Sequence, residues 1–270
     1  MPYTISHVAA VLPFSRWLAR WRMLSATIIG SMVPDIGYIL PEQPDRGVSH
    51  SALSLVTFSL PLGLACFWIF QGLMKRPLLC LLPDQAYMRW RDCGAPAPLG
   101  SVRQWLLAAC GVLFGAVTHL AWDGFTHEGA RGMRMMPELS DWVIEVHGHH
   151  LIGAGLLQGG SSVIGLAIVV AVLAYSLRRG TPRTVAPREL SRAQRRRWVL
   201  LFALVVISAT IGFDLLIART WIPSHPLRAN ANIVAVALLR GLAFAALSIS
   251  IALQRYLAYR GSGNASTSEV

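Results

Sequence analysis

The sequence predicts an all-α fold, a polytopic helical bundle in a membrane with about five to six transmembrane helices and a short N-terminal helix. Three observations support this prediction. Hydrophobic residues make up 54% of the chain and charged residues only 14%, whereas a soluble domain usually carries about 25% charged residues. The hydrophobic residues are collected in long blocks, as a bilayer requires. Basic residues fill several connectors between these blocks, which is typical of cytoplasmic loops in membrane proteins.

Five of the hydrophobic blocks are long enough to cross a bilayer as helices, which takes about 20 residues. Most of them keep no polar face, so helices buried in a large soluble core are a poor explanation for them. A sixth block, residues 23–40, is shorter. The five long blocks are residues 52–74, 104–122, 151–176, 198–218 and 232–258.

The beginning of the chain admits two arrangements. Residues 5–18 are a short helical candidate, and Arg20 and Arg22 separate them from the block at residues 23–40. One arrangement keeps the N-terminus in the cytoplasm. The other is a helical hairpin that enters the membrane from the outer face, turns at the arginines and returns. About 14 residues of helix cover roughly 21 Å, which is less than the ~30 Å of hydrocarbon, so such a hairpin would not cross the bilayer.

The formal net charge of +11 is concentrated in connectors that flank hydrophobic blocks. The connector at residues 177–197 holds the most arginine, so we place it in the cytoplasm. Alternation then puts the basic connector 75–103 in the cytoplasm as well, and the more acidic connector 123–150 outside. Lipid is the expected partner of these basic residues, and no nucleic acid is expected. We expect one integral membrane domain over residues 1–258 and a disordered, Gly- and Ser-rich C-terminal tail over residues 259–270.

Polar residues at the ends of the hydrophobic blocks are candidates for a metal site, because ionisable groups at membrane depth are costly. His119 and Asp123 are four residues apart and share one face of a helix. His127 stays on that face if the helix continues. Imidazole and carboxylate ligands on one stripe suit Zn²⁺ or a similar divalent ion. For the HxxxD pair by itself, a buried and hydrogen-bonded histidine is an equally good explanation.

The predicted topology brings further candidates to the same outer end of the bundle. Asp35 lies near the outer end of its block, His50 immediately precedes the next block, and His7 begins the hairpin. The sequence therefore predicts a site for a divalent metal ion, with Zn²⁺ favoured. Its candidate ligands are His7, Asp35, His50, His119, Asp123 and His127.

Several stretches, taken in order, resemble a bacterial family of uncharacterised membrane proteins, domain-of-unknown-function family 4184. The stretches are MPYTISHVAAVLP, IGSMVPDIGY, RGVSHS, THLAWDGFTHEG and LLQGGSSVIG. That family is similar to the YdjM-like membrane-bound metal-dependent hydrolases, whose helical arrangement in turn resembles zinc-dependent phospholipase C and related nucleases. The resemblance implies a multi-pass protein of the bacterial inner membrane with a metal site built from His and Asp.

The YdjM-like hydrolases carry an early histidine, a PDxDH element, an HRGxTHS turn and an HxxxD helix. The residues that match these ligands are His7, Asp35, His50, His119 and Asp123. Gly37 and Tyr38 replace the DH of PDxDH, and Asp45 stands where HRGxTHS begins with histidine. Up to three ligands are therefore missing, so the resemblance implies a metal site more strongly than it implies hydrolysis.

Two classes of function follow from these features. The first is a membrane-embedded metal-dependent hydrolase, and a site at the membrane edge suits a lipid or lipid-linked phosphoester. The alternative is a non-catalytic membrane protein with a transport, structural or metal-sensing role. In a transporter, Gln158, Asp214 and Arg240 would line a polar path. An inverted repeat would support transport, and the sequence shows none.

Overall fold

The computed structural model of the protein is helical over nearly all of the chain that it describes. The all-α class is confirmed. The described residues are 4–39, 46–90, 100–127, 129–136, 138, 143–146, 149–178, 188–220 and 226–266.

Short helical segments make up the first part of the chain. Helices α1 (Ser15–Arg20) and α2 (Leu24–Gly30) are accompanied by 3₁₀ segments at Thr4–Ala10, Leu12–Phe14 and Val33–Ile39. The sixth hydrophobic block is therefore two short segments rather than one spanning helix. Pro34 explains the break, since it has no N–H to donate to the carbonyl group four residues earlier and its ring clashes with that carbonyl. The residue four positions before Pro34 is Gly30, and helix α2 ends there.

The helix that contains the first long block is continuous from Leu55 to Leu81. It is preceded by the single turn α3 (Arg46–Ser49) and followed by α6 (Asp84–Trp90). Two π-helical turns interrupt its α-helical hydrogen bonding. Its parts are the π-turn Leu55–Ser59, α4 (Leu60–Ile69), the π-turn Phe70–Met74 and α5 (Lys75–Leu81).

The remaining helices include the four other long blocks. They are α7 (Val102–Thr126), α8 (Arg131–Arg134), α9 (Gly153–Arg178), α10 (Arg192–Thr220) and α11 (Pro226–Ser266). Strands β1 (Val143–Val146) and β2 (His149–Ile152) pair antiparallel before α9, with Val143 opposite Ile152. The sequence did not predict this hairpin, because four residues are too few for an alternating pattern to stand out from a loop.

Five helices are long and apolar enough to cross a membrane, and each overlaps one of the predicted blocks. Many of their large apolar side chains are exposed, including Val163 at 64% and Ile164 at 60%. Contiguous exposed apolar surface of this kind calls for lipid rather than water around it. These features indicate a multi-pass membrane protein. The five candidate spans are Leu55–Leu81, Val102–Arg134 (which takes in α7 and α8), Gly153–Arg178, Arg192–Leu216 and Ile233–Arg260.

The contacts between residues divide the chain into two compact units, and the first contains residues 3–67 and 98–178. In this unit α2 lies directly against α7. A Cβ atom added at Gly115 would lie 2.1 Å from the carbonyl oxygen of Thr27, and one added at Gly30 would lie 2.2 Å from that of Val112. Only glycine allows two helix backbones to approach this closely.

The N-terminal segments of this unit form a hairpin along α7. The ring of Phe14 contacts that of Phe114, near the middle of α7, with 5.4 Å between centroids. The chain then turns at Arg22, which adopts a left-handed backbone conformation with φ of 58°. It returns so that the carbonyl of Ser31 reaches His119, near the C-terminal end of α7. The hairpin thereby brings both of its ends to that end of α7.

The second unit contains residues 68–97 and 179–270. Within it, α10 and α11 are antiparallel neighbours. Trp198, early in α10, packs its ring against that of Tyr256, late in α11, at 5.7 Å. Thr210, late in α10, lies against Gly241, in the middle of α11.

Part of the arginine-rich connector forms ion pairs inside the second unit. Asp84 lies 2.7 Å from Arg195 and 3.1 Å from Arg188, measured between carboxylate oxygen and guanidinium nitrogen. Arg76 donates two hydrogen bonds to the carboxylate of Glu189, at 3.1 and 2.9 Å. These arginines therefore have a structural role besides the one in topology that the sequence predicted.

The last helix, α11, continues to Ser266. The sequence predicted the end of the membrane domain at residue 258 and a disordered tail from residue 259. Residues 259–266 are helical in the structure, and residues 267–270 lie outside the described part of the chain. The assignment of residues 1–258 to a single domain stays a prediction.

Candidate metal centre

The centre of the site lies at the C-terminal end of α7. His119 and Asp123 point to the same side of this helix, and both are buried. The hairpin adds Asp35, which is 3% exposed. The turn that follows α3 adds His50. Three separate parts of the chain thus bring two histidines and two aspartates together, as the sequence predicted for these positions.

Four side-chain atoms of these residues form a compact set. His50 Nε2 lies 3.3 Å from Asp35 Oδ1 and 3.5 Å from Asp123 Oδ2. His119 Nε2 lies 3.6 Å from the same two oxygens. A tetrahedral ion with ligands at ~2.0–2.1 Å sets neighbouring ligand atoms roughly 3.3–3.4 Å apart. The four residues could therefore hold a metal ion, since one ligand atom from each lies within 4.8 Å of the others.

The hydrogen bonding of His119 determines which of its ring nitrogens faces the set. Its Nδ1 lies 2.7 Å from the carbonyl oxygen of Ser31. A carbonyl oxygen can only accept, so Nδ1 carries the hydrogen and neutral His119 has its lone pair on Nε2. Within the described part of the chain, Nε2 makes no hydrogen bond. In the neutral form this lone pair faces two carboxylates, an arrangement that is repulsive unless a metal ion lies between them or Nε2 takes up a proton.

Hydrogen bonds also orient the side chains of His50 and Asp35. His50 Nδ1 lies 2.7 Å from the hydroxyl of Ser49, and its Nε2 makes no hydrogen bond with a described residue. Thr4 donates a hydrogen bond of 3.0 Å from its hydroxyl to Asp35 Oδ2. This bond leaves Asp35 Oδ1 directed at the two histidines. Outer contacts of this kind commonly orient the ligands of a metal ion.

His7 lies beside the set rather than within it. Its ring stacks on that of His119 with 3.8 Å between centroids, and its Nε2 is 3.5 Å from Asp123 Oδ1. Residues 4–39 lie outside the five candidate spans. Burial lowers the pKa of His7 to about 4, although Asp123 and Asp35 oppose the shift. A neutral imidazole ring is the form that metal ions require.

His127 also faces Asp123, although α7 ends one residue earlier at Thr126. Its backbone is extended, and its Nδ1 lies 3.3 Å from Asp123 Oδ1. The amide nitrogen of Gln158 contacts its Nε2. Because an amide nitrogen can only donate, Nε2 accepts and Nδ1 carries the hydrogen towards Asp123. The assignment of His7 and His127 as metal ligands stays a prediction.

An open cleft of about 680 Å³ adjoins the four residues. His50, Asp123 and His127 lie on its wall, together with Arg131 and Arg134 from α8. The rest of the wall is largely apolar and comes from α3, the segment after His50, α7 and the loop before α8. Those residues are Gly47, Ser51, Ala52, Leu55, Val117, Leu120, Ala121, Gly124, Gly129 and Ala130.

A model of the family described as Domain of unknown function (DUF4184) matches residues 1–251, which is most of the chain. The chain belongs to this family. No curated protein and no solved structure matches it. The family membership that the motifs predicted is confirmed, and the similarity to YdjM-like hydrolases stays a prediction.

The DUF4184 chain differs from the YdjM-like pattern at positions that bear on the site. Gly37 has no side chain and offers no ligand atom. The side chain of Tyr38 and the whole of Asp45 lie outside the described residues. The sequence did not single out Thr4 or the carbonyl of Ser31, because their contacts join residues far apart in the chain. The placement of Arg131 and Arg134 on a short turn had no sequence signal either.

Proposed function

We propose that this protein is a membrane-embedded metal-dependent hydrolase that acts on a lipid or lipid-linked phosphoester. One observation carries the proposal. The lone pair of His119 Nε2 and the carboxylates of Asp35 and Asp123 face one another at 3.6 Å without a hydrogen bond from that nitrogen to a described residue. Divalent cations stabilise such a set, and His and Asp together suit Zn²⁺ better than Ca²⁺ or Mg²⁺.

The residues of the chain have defined roles in this proposal. Asp35, His50, His119 and Asp123 hold the ion, and Thr4 and the carbonyl of Ser31 orient two of them. A bound divalent ion supplies water activation near neutral pH and polarises the group to be cleaved. In the net reaction one water adds across a phosphoester bond. Its hydroxyl ends on phosphorus, and its remaining proton ends on the leaving alcohol oxygen.

The position of the site supports a substrate that resides in the membrane. Asp123 and His119 belong to a helix that is apolar enough to span, and they lie near its C-terminal end. In the predicted orientation this end meets the outer face of a bacterial inner membrane. A lipid headgroup is held at that depth, so a lipid phosphoester would reach the ion without leaving the bilayer.

A structural metal site in a non-catalytic protein is the second candidate. It is favoured by the way in which the four residues join three separate parts of the chain. An ion at such a junction contributes its binding free energy to folding. The two candidates share the metal and differ in whether the protein hydrolyses a phosphoester.

Metal analysis tests what the two candidates share. We expect the purified protein to contain about one divalent ion per chain, because its four ligand candidates are already assembled. His119→Ala and Asp123→Asn should each lose most of the metal, since a site with a missing ligand cannot complete its coordination. A chelator should lower the melting temperature of the wild type and leave that of the variants unchanged. Elemental analysis and thermal melting in detergent measure both effects.

Asp84→Asn is the matched control, because Asp84 is paired with arginines in the second unit and takes no part in the site. This variant should retain its metal. If the wild type contained little metal and the chelator did not change its melting temperature, both the metal site and the hydrolase would be excluded. If the wild type contained metal but cleaved neither soluble nor lipid phosphoesters, the hydrolase would be excluded and the structural metal site would be the candidate that remains.

A further inference from the structure

We propose that Arg131 and Arg134 form a phosphate-binding subsite beside the metal centre, and that the apolar part of the same cleft holds the hydrocarbon chain of a phospholipid. This inference rests on the proposed function and specifies how its substrate is recognised. In this proposal the phosphate of the lipid lies at the end of α7, and its hydrocarbon chain follows that helix into the membrane.

The two arginines are placed for binding an anion. They are the first and last residues of α8, and both line the cleft that His50 and Asp123 also line. Both are exposed, and neither makes an ion pair with a residue in the described part of the chain. Guanidinium groups bind phosphate oxygens through two parallel hydrogen bonds, which is why arginine is common at phosphate sites.

The turn that carries the arginines is fixed against α7. Met133 is 1% exposed, and Gly132 is so close to α7 that an added Cβ atom would lie 2.5 Å from the carbonyl oxygen of Gly124. The buried middle of α8 therefore holds its two ends, Arg131 and Arg134, towards the cleft. A subsite on an anchored turn loses less entropy on binding than one on a free loop.

The charge balance of the proposed metal centre favours a second positive group nearby. Asp35 and Asp123 together carry two negative charges, which offset the charge of a divalent ion. A phosphate that approaches the centre consequently meets little net attraction from the ion and its ligands. Arg131 and Arg134 supply the attraction that the neutralised centre lacks.

The apolar part of the cleft is oriented along the membrane. Val117 lies on the wall and is 47% exposed. It precedes Asp123 by six residues, which places it about 9 Å deeper along the axis of α7. Leu55, at the start of the neighbouring span, is also on the wall. The arginines, the metal candidates and the apolar wall thus follow one another from the helix end towards the helix middle, as the phosphate, the ester bond and the chain do in a phospholipid.

The test compares ligands that differ in one part. Purified full-length protein in detergent is titrated with dioleoyl phosphatidate, with dioleoylglycerol, which has the chains without the phosphate, and with inorganic phosphate. We expect phosphatidate to raise the melting temperature of the wild type most, because binding to the folded state stabilises it. The double variant with Arg131→Ala and Arg134→Ala should bind phosphatidate more weakly, so its half-saturating phosphatidate concentration should rise by about tenfold or more. The metal content of this double variant should not change.

Matched variants separate the parts of the proposal. Arg103→Ala removes an exposed arginine from the opposite end of α7 and should leave the phosphatidate shift intact. Val117→Glu should weaken the binding of phosphatidate and leave the binding of inorganic phosphate unaffected. Equal effects of phosphatidate and dioleoylglycerol, or an unchanged shift in the double arginine variant, would overturn the subsite. An equal effect of inorganic phosphate would overturn the part played by the hydrocarbon chain.

The subsite and the proposed function can fail separately. If the arginine variant loses the phosphatidate shift but the wild type holds no metal, the subsite stands and the hydrolase is excluded. If the wild type holds metal and cleaves phosphoesters but the arginine variant binds phosphatidate normally, the hydrolase stands and the subsite is excluded.

Discussion

The properties of the site depend on single hydrogen bonds that determine which atom of each ligand faces the centre. The carbonyl of Ser31 holds the hydrogen of His119 on Nδ1 and so leaves Nε2 as the ligand atom. The hydroxyl of Thr4 occupies one oxygen of Asp35 and leaves the other towards the histidines. Contacts of this kind raise the affinity for a metal ion because the ligand does not have to be oriented when the ion binds.

Thr4 provides a direct test of this argument. Thr4→Val removes the hydroxyl and keeps the shape of the buried side chain, so Asp35 loses an orienting partner. We expect the affinity for the divalent ion to fall by about tenfold or more, since loss of an outer contact typically costs 10–100-fold. Competition with a metal indicator of known affinity measures the change.

Thr4→Ser is the matched control, because it keeps the hydroxyl and removes only a methyl group. It should bind the ion nearly as well as the wild type. If valine and serine at this position gave the same affinity, the hydrogen bond to Asp35 would have no part in metal binding.

Among single residues, the sequence predicted the candidate metal ligands better than the hydrogen bonds that orient them. His119 and Asp123 were predicted from their spacing, because residues four apart share a helix face whatever the tertiary fold. Asp35 and His50 followed from the ends of their hydrophobic blocks. The contact between Thr4 and Asp35 joins residues 31 apart. No local pattern predicts such a contact, since it depends on how the hairpin closes.

At the scale of elements, the close approach of α2 to α7 positions the hairpin. Glycines on both helices make this approach possible, and Gly115 is the most crowded, with the carbonyl oxygen of Thr27 2.1 Å from an added Cβ atom. Ser31 follows directly after α2, so the distance between the two helices sets whether its carbonyl reaches His119.

Gly115→Ala should therefore affect the site from a distance. The methyl group meets backbone atoms, which cannot move aside as a flexible side chain would, so the helices must separate. We expect a loss of about 1–3 kcal/mol in the free energy of unfolding, typical of an overpacked core. We also expect weaker metal binding, since the separation lengthens the bond between Ser31 and His119. Chemical denaturation in detergent and metal titration measure the two effects.

Gly159→Ala is the matched control for this substitution. Gly159 lies in α9, and an added Cβ atom there would meet nothing within 4 Å among the described residues. This variant should keep both stability and metal affinity. Normal metal binding by a destabilised Gly115→Ala protein would show that the helix distance does not set the geometry of the site.

The elements themselves were largely predictable, and the exceptions have physical causes. The five long blocks were recognised because a spanning helix needs a continuous apolar surface. The break in the block at residues 23–40 follows from Pro34, and the sequence had already set this block apart as shorter than the five long ones. His127 was expected on the helix face if α7 continued. The helix ends at Thr126, yet an extended backbone returns the His127 side chain to Asp123.

At the scale of the whole molecule, the metal candidates and the basic connectors lie at opposite ends of the spans that join them, although Arg131 and Arg134 follow the metal end of α7. In the first unit, Asp123 lies near the end of α7 and Arg103 near its start. In the second unit, the ion pairs of Asp84 lie just beyond the end of the span that closes at Leu81. The positive-inside rule therefore predicts that the metal candidates of the first unit lie at the outer face.

Reporter fusions test this orientation. A reporter active only in the cytoplasm should be active when fused after Arg183 or after Arg260, because both positions follow spans that run inwards in the predicted topology. A reporter active only outside should be active when fused after Met136, which follows the outward end of α7. Each reporter is the control for the other at every position. Cytoplasmic activity after Met136 would reverse the orientation. The metal candidates and the arginines of α8 would then face the inner leaflet, and the lipid substrate would have to come from that side.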